Sequence, residues 1–163
     1  MYEECIEHDI LFLLEPIHFP YNGEDAKSET VLKRKANTVI ESARVLSRYC
    51  DVYKAEFPGT LGVESDAQLA DNLKRLTDVC AKPWVLLSAG VDYPQYKKQV
   101  EMAIKAGASG VLGGRAFWKE FFTYTTPADS STHGFTHASL RRFRLSISCE
   151  SFSWPNVPGN SAL

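Results

Sequence analysis

The segment DVYKAEFPG, residues 51–59, decides the fold predicted for this chain. Side chains alternate between the two faces of a strand, so the segment would present one apolar face and one face that carries charges. The apolar face consists of Tyr53, Ala55 and Phe57, and the other face consists of Val52, Lys54 and Glu56. The segment therefore predicts a strand that packs on helices with one face and carries a lysine on the other.

Three further apolar runs of strand length lie on either side of this segment. Residues 10–17 (ILFLLEPI) form a continuous run closed by Pro16, which is typical of a strand buried on both faces. The third run covers residues 84–91 (WVLLSAGV), and a shorter fourth run covers residues 109–112. The sequence therefore predicts four strands.

Helical patterns separate these runs. A short helix is expected over residues 1–8, before the first strand. Three later segments have apolar residues at helical spacing, which predicts three buried stripes. The stripes are Leu32, Ala36, Val39, Ala43 and Leu46; Leu69, Leu73, Leu76 and Cys80; and Val100 with Ile104. Ser65 and Gln68 have the spacing of a capping box, and Gly107 is typical of a helix end.

Strands that alternate with helices predict the α/β class, with parallel βαβ units and right-handed crossovers. These connection rules do not distinguish an open doubly wound sheet from part of a barrel. The alternation ends near residue 126, and residues 127–163 are rich in serine, proline and glycine. We therefore expect an ordered domain over residues 1–126 and a disordered tail over residues 127–163.

Composition limits the classes of function. The chain has 163 residues, of which 44% are hydrophobic and 23% charged, as in a soluble globular domain. Its formal charge of −2 argues against a nucleic-acid partner. The apolar runs are far shorter than the ~20 residues of a membrane helix, so no membrane partner is expected. The four cysteines are widely spaced and no secretory signal is visible, which favours reduced thiols and a cytoplasmic location.

Lys54 and Glu15 are the first candidate catalytic residues. An ammonium group inside a parallel sheet costs several kcal/mol unless it is paired or neutralised, so Lys54 needs an explanation. The alternatives to a catalytic role for Lys54 are an ion pair with Glu56 or a strand end open to solvent. Glu15 precedes Pro16 at the carboxyl end of the first strand, where α/β active sites lie. Its alternative is a solvated carboxylate at a strand end.

Two turns are candidates for binding phosphate. Ser88-Ala89-Gly90 lies at the end of the third run, and Gly113-Gly114-Arg115 follows the fourth. Small residues let backbone N–H groups approach an anion, and an arginine can bind it through two hydrogen bonds. The alternative is that these glycines serve only the strand-to-helix geometry. No group of residues has the spacing of metal ligands, and no dinucleotide or P-loop motif is present.

Four motifs together resemble the C-terminal half of the class I tagatose 1,6-bisphosphate aldolase family, to which the sulfofructose-phosphate aldolases are related. The motifs are CIEHDILFLLEP (5–16), DVYKAEFPG (51–59), LLSAGV (86–91) and AGASGVLGGRAFW (106–118). The resemblance implies a (β/α)₈ TIM barrel of which this chain holds strands five to eight. It also implies that Lys54 forms the Schiff base and that Glu15 is the acid/base. Ser88, Gly90, Gly114 and Arg115 would hold the C1 phosphate, with neither cofactor nor metal.

The resemblance implies a carbon–carbon lyase that cleaves a ketohexose bisphosphate to dihydroxyacetone phosphate and glyceraldehyde 3-phosphate. Strands one to four of such a barrel have no counterpart here, which indicates a truncated barrel. Three alternatives follow: a sulfofructose-phosphate aldolase, a barrel enzyme that binds phosphate without a Schiff base, or a non-catalytic half-barrel that binds sugar phosphate or self-associates. Self-association is expected because a half-barrel has two unpaired sheet edges.

Overall fold

The computed structural model of the protein describes residues 1–118. Its centre is a parallel sheet of four strands in the order β1-β2-β3-β4. The strands are β1 (Leu13–Leu14), β2 (Val52–Ala55), β3 (Trp84–Leu87) and β4 (Gly110–Leu112). The predicted α/β class and the parallel βαβ units are therefore confirmed. The tail predicted over residues 127–163, and the last residues of the domain predicted over 1–126, lie outside the described residues.

Five α-helices and one 3₁₀ turn precede, connect or follow the strands within this part of the chain. They are α1 (Tyr2–Glu7), α2 (Glu29–Leu46), the 3₁₀ turn Ser47–Tyr49, α3 (Asp66–Val79), α4 (Tyr93–Lys105) and α5 (Arg115–Trp118). Both bonds of the predicted capping box are present at the start of α3. Gly107 follows α4 with φ +105°, a backbone conformation that glycine adopts without steric cost. Within residues 1–118, no helix is long and apolar enough to cross a membrane.

The core lies between the sheet and the helices. Tyr53, Ala55 and Phe57 are each 1% exposed, as the alternation in the 51–59 segment predicts. The three leucines of the predicted α3 stripe, Leu69, Leu73 and Leu76, are fully buried, whereas the fourth member, Cys80, follows the end of the helix and is half-buried. In α4 the prediction is wrong in detail. Tyr96, Gln99 and Ala103 are buried there, whereas the predicted Val100 and Ile104 are half-buried and lie at the border of the stripe.

The prediction of a doubly buried first strand is also wrong. β1 has only two residues, both half-buried, and it pairs with β2 alone within the described part of the chain. Apolar side chains beside it are exposed, including Leu11 (67%) and Phe19 (71%). The continuous apolar run predicted a strand with a neighbour on each side. Among residues 1–118, however, the outer edge of β1 has no neighbouring strand, which leaves apolar side chains of the run exposed.

Gly113→Ala is expected to destabilise the protein by about 1–3 kcal/mol, the usual cost of overpacking a core. A methyl group at this position would overlap Cε2 of Phe117 and lie 2.6 Å from Cε1 of Tyr96. The Tyr96 ring cannot easily move, because its hydroxyl donates to the Leu86 carbonyl at 3.1 Å. Urea denaturation measures the effect. Gly114→Ala is the matched control, since its methyl would meet nothing within 4 Å, and equal stabilities of the two variants would contradict the packing argument.

Candidate active site

The predicted site residues all lie at the carboxyl ends of the four strands. Glu15 follows β1, Lys54 is the third residue of β2, Ser88 follows β3, and Gly114 follows β4. Because the strands are parallel, these ends share one edge of the sheet. The sequence therefore positions four separate chain segments on the side of the sheet where α/β proteins place their ligands.

Glu15 and Lys54 form an ion pair, with Oε2 and Nζ 2.7 Å apart. The sheet register brings them together, since Leu14 is paired with Tyr53 and Glu15 and Lys54 are the next residues. The Lys54 side chain is 20% exposed and that of Glu15 is 37% exposed, so the pair is partly shielded from water and still accessible. The arrangement places a primary amine in direct hydrogen-bond contact with a carboxylate, which can exchange a proton with it.

Glu56 is not the partner of Lys54. Its carboxylate is 6% exposed and accepts a hydrogen bond from the backbone N–H of His18 at 2.6 Å. Its other oxygen lies 3.9 Å from Nζ of Lys35 on α2. The alternative ion pair between Lys54 and Glu56 is therefore wrong, because β2 ends at Ala55 and Glu56 faces other partners.

The two predicted phosphate turns lie next to each other. The Gly114 N–H donates to Oγ of Ser88 at 3.4 Å, which links the turn after β4 to the turn after β3. The Arg115 guanidinium lies over Gly90, where an added Cβ would be 3.1 Å from one guanidinium nitrogen. Gly90 has φ +75°, so this close approach requires glycine on both conformational and steric grounds. The structure thus brings Ser88, Gly90, Gly114 and Arg115 into one cluster.

The cluster has the groups that an anion needs. Arg115 is exposed and carries a full positive charge, and Ser88 supplies a hydroxyl that is 7% exposed. β3 separates β4 from β2, so at the usual strand spacing the turn after β4 is about 10 Å from the Lys54 strand and the turn after β3 about 5 Å. Long side chains and a small phosphorylated ligand can bridge these distances. The edge therefore combines a turn cluster with donors suited to an anion and an amine–carboxylate pair.

Sequence reasoning missed the contribution of His18. Its backbone binds Glu56, and its Nε2 atom is buried without a hydrogen-bond partner among the described residues. Burial lowers the pKa of His18, although the Glu56 carboxylate opposes that shift. In the sequence, only the position of His18 shortly after Pro16 could have indicated its contact with Glu56, since neither spacing nor composition distinguishes it.

Within residues 1–118, no three His, Cys, Asp or Glu side chains are grouped so that they could hold a metal ion.

Comparison with known proteins identifies relatives for most of the described chain. A family model described as DeoC/LacD family aldolase matches residues 1–120. Tagatose 1,6-diphosphate aldolase 1 of Enterococcus faecalis is 35% identical in an alignment 133 residues long, which covers 72% of this chain and 40% of that protein. Tagatose 1,6-diphosphate aldolase of Lactococcus lactis is 35% identical over 130 residues, with 71% and 40% covered. The chain thus spans about two fifths of the length of these curated relatives.

Solved structures show the same fold at lower identity. A Schiff-base-forming fructose-1,6-bisphosphate aldolase, studied through its reaction intermediates, superposes with a TM-score of 0.58 at 15% identity. The match covers 90% of this chain and 47% of that one. An archaeal fructose-1,6-bisphosphate aldolase whose catalytic lysine is bound to a carbinolamine intermediate gives 0.56 at 15% identity, covering 90% and 49%. The predicted partial (β/α)₈ barrel is therefore confirmed; its assignment to strands five to eight stays a prediction.

Proposed function

Because the chain belongs to the DeoC/LacD family of aldolases, we propose that it carries the Schiff-base half of a class I aldolase site. The proposed reaction cleaves a ketohexose bisphosphate to dihydroxyacetone phosphate and glyceraldehyde 3-phosphate. The observation that carries the proposal is the 2.7 Å contact between Nζ of Lys54 and the Glu15 carboxylate at the ligand-binding edge of the sheet. Tagatose 1,6-bisphosphate is the proposed substrate, because the curated relatives are named for it.

Lys54 is the proposed nucleophile. Its ammonium group must lose a proton before it can attack, and the hydrogen-bonded Glu15 carboxylate is in position to accept that proton. The neutral amine adds to the C2 ketone to give a carbinolamine. Glu15 then returns the proton to the hydroxyl group, which leaves as water, and a protonated imine forms. The cleavage that follows needs no metal, since the iminium itself withdraws electrons from the C3–C4 bond.

Cleavage follows from the positive charge of the iminium. A base removes the proton of the C4 hydroxyl, the C3–C4 bond breaks, and its electron pair moves into the iminium to give an enamine. The C4 hydroxyl becomes the aldehyde of glyceraldehyde 3-phosphate. Protonation of the enamine at C3 and addition of water then release dihydroxyacetone phosphate and restore the Lys54 amine. Glu15 is the proposed acid/base for the proton transfers at Lys54, directly or through water.

The turn cluster after β3 and β4 is the proposed site of the C1 phosphate. Arg115 would neutralise it and bind it through two parallel hydrogen bonds, as arginine does with planar or tetrahedral oxyanions. Ser88 and the backbone around Gly90 and Gly114 would supply further donors. Fixing the phosphate there would hold C2 near Lys54, which converts the imine formation into a reaction within one complex. A sulfofructose-phosphate substrate stays a prediction of the sequence resemblance.

Borohydride trapping tests the proposed function. The chain is incubated with dihydroxyacetone phosphate, any imine is reduced to a stable amine, and tryptic peptides are analysed by mass spectrometry. We expect one adduct, on the peptide that contains Lys54. Folded protein without an adduct would contradict catalysis and favour the non-catalytic alternative. Binding of inorganic phosphate without an adduct at any lysine would instead favour a phosphate-binding barrel without Schiff-base chemistry.

The proposed assembly is a homo-oligomer of this chain in the cytoplasm. β1 and β4 each have one neighbouring strand within residues 1–118, and Ile10, Leu11 and Phe19 expose 58–71% of their area beside β1. An unpaired strand edge with apolar side chains favours pairing with another edge. Native mass spectrometry of the chain at micromolar concentration is expected to show a dimer, and Leu11→Lys is expected to shift it to monomer. A monomeric wild-type chain would contradict this assembly.

A further inference from the structure

The first strand is held at both ends by carboxylates of the second strand segment. At its start, Oδ2 of Asp51 accepts the backbone N–H of Phe12 at 2.8 Å. After its end, Oε2 of Glu56 accepts the backbone N–H of His18 at 2.6 Å. Between these points the ladder comprises only the pairs Leu13–Val52 and Leu14–Tyr53. The Asp51 N–H also donates to the Phe12 carbonyl at 2.9 Å, so the backbone itself aligns the start of β1. Beyond the end of the ladder, the chain contacts the second segment through the Glu56 side chain and the Glu15–Lys54 pair.

The contact made by Glu56 lies beyond the carboxyl end of β1, where Glu15 also lies. Glu15 comes three residues before His18, and Pro16 between them has no N–H with which to continue the ladder. The chain after Leu14 therefore depends on another link to stay beside β2. Pro16 also restricts the backbone of Glu15 to extended conformations, so fixing His18 limits where Glu15 can lie.

Glu56 is also too well buried to be an incidental surface group. It is 6% exposed, and a buried carboxylate is stable only when it is paired and hydrogen-bonded. Lys35 lies 3.9 Å away, beyond hydrogen-bond distance, so the His18 N–H makes the shortest contact to it. The side chain thus connects three segments: the end of β2, helix α2 and the chain that follows Glu15.

We propose that Glu56 is a positioning residue, which holds the segment after β1 so that the Glu15 carboxylate stays in contact with Lys54. The expected effect on imine formation rests on the proposed aldolase function, whereas the contact of Glu56 with the His18 N–H does not depend on it. Without the Glu56 acceptor, residues 15–18 keep only the Glu15–Lys54 contact as a link to β2, and the Glu15 carboxylate is free to move away from the amine. A reacting group misplaced by about 1 Å costs roughly 10²-fold in rate, so imine formation would slow on that scale.

The primary test is the acylation rate of Lys54, which does not need catalysis. Trace labelling with acetic anhydride is measured by mass spectrometry, with exposed Lys105 as the internal reference. The Glu15→Gln variant gives the reference acylation rate of Lys54 when its amine has lost the carboxylate partner. We expect Glu56→Met to raise the Lys54 rate severalfold, toward that reference, and Glu56→Gln to stay near wild type, since its amide oxygen can still accept the His18 N–H. An unchanged rate in Glu56→Met would overturn the proposal.

Asp51→Ala is the matched control, because it removes the same kind of carboxylate–amide bond at the other end of β1. It is expected to lower stability and leave Lys54 labelling unchanged; equal effects of Asp51→Ala and Glu56→Met on labelling would contradict a specific role. If Glu56→Met alone does not fold, Glu56→Met/Lys35→Met removes both buried charges together and gives the same readout. Borohydride trapping then separates the claims: no adduct in wild type refutes the aldolase function, whereas the labelling result decides the role of Glu56.

Discussion

Lys54→Met is expected to abolish the reducible adduct with dihydroxyacetone phosphate, a loss on the order of 10³-fold or more in trapping rate. The imine needs a primary amine, and methionine keeps the volume of the side chain without one. The fold should survive, because the Lys54–Glu15 pair is partly exposed and such pairs contribute about 1 kcal/mol or less. Trapping followed by peptide mass spectrometry measures the loss, and circular dichroism checks the fold.

Lys98→Met is the matched control for this variant. Lys98 is also paired with a carboxylate, since its Nζ lies 2.8 Å from Asp66, but the pair joins the exposed surfaces of α4 and α3. Its loss should leave the adduct on the Lys54 peptide intact. Glu15→Gln should give an intermediate result, with an adduct that forms slowly because the carbinolamine lacks the acid that protonates its departing hydroxyl group. An adduct of undiminished yield in Lys54→Met, on any other lysine, would contradict the assignment.

The sequence was sufficient to predict the elements and their order, because local rules determine them. The capping box at Ser65 and Gln68 depends on local side-chain-to-backbone hydrogen bonds, and the stop at Gly107 depends on φ, so both signals transfer directly to the structure. The same is true of the alternation at Tyr53, Ala55 and Phe57, which faces the helices as expected. Each signal concerns residues a few positions apart, and the structure agrees with it.

Apart from the border of the α4 stripe, the errors concern interactions between distant segments. Periodicity could not show that β1 lies at an edge, because exposure depends on which strands are neighbours and not on the run itself. It also could not choose between Glu15 and Glu56 as the partner of Lys54. That choice depends on the β1–β2 register, in which Leu14 is opposite Tyr53, and on the end of β2 at Ala55. Both carboxylates were visible in the sequence, and only the fold assigns one to the amine and the other to a backbone amide.

The predicted phosphate site shows the same difference between local signals, which the sequence contains, and contacts between distant segments, which it does not. Glycines and an arginine after two strands predicted a phosphate site, but each turn alone was weak evidence. The contact between Gly114 and Ser88, and the position of Arg115 over Gly90, result from the pairing of β3 with β4. The proximity of the two turns makes the assignment testable with a simple anion, independently of turnover.

Arg115→Met is expected to weaken the binding of inorganic phosphate by about 30- to 150-fold, which corresponds to the roughly 2–3 kcal/mol of charged hydrogen bonds. Gly90→Ala should weaken it as well without removing the charge, because the added Cβ would lie 3.1 Å from the guanidinium nitrogen and φ +75° is unfavourable for alanine. Isothermal titration calorimetry measures both. Arg75→Met, on the exposed face of α3, is the control and should bind phosphate like wild type. Equal affinities of wild type and Arg115→Met would place the anion elsewhere, whereas a loss shared by Arg115→Met and Gly90→Ala would locate it where the turns after β3 and β4 meet.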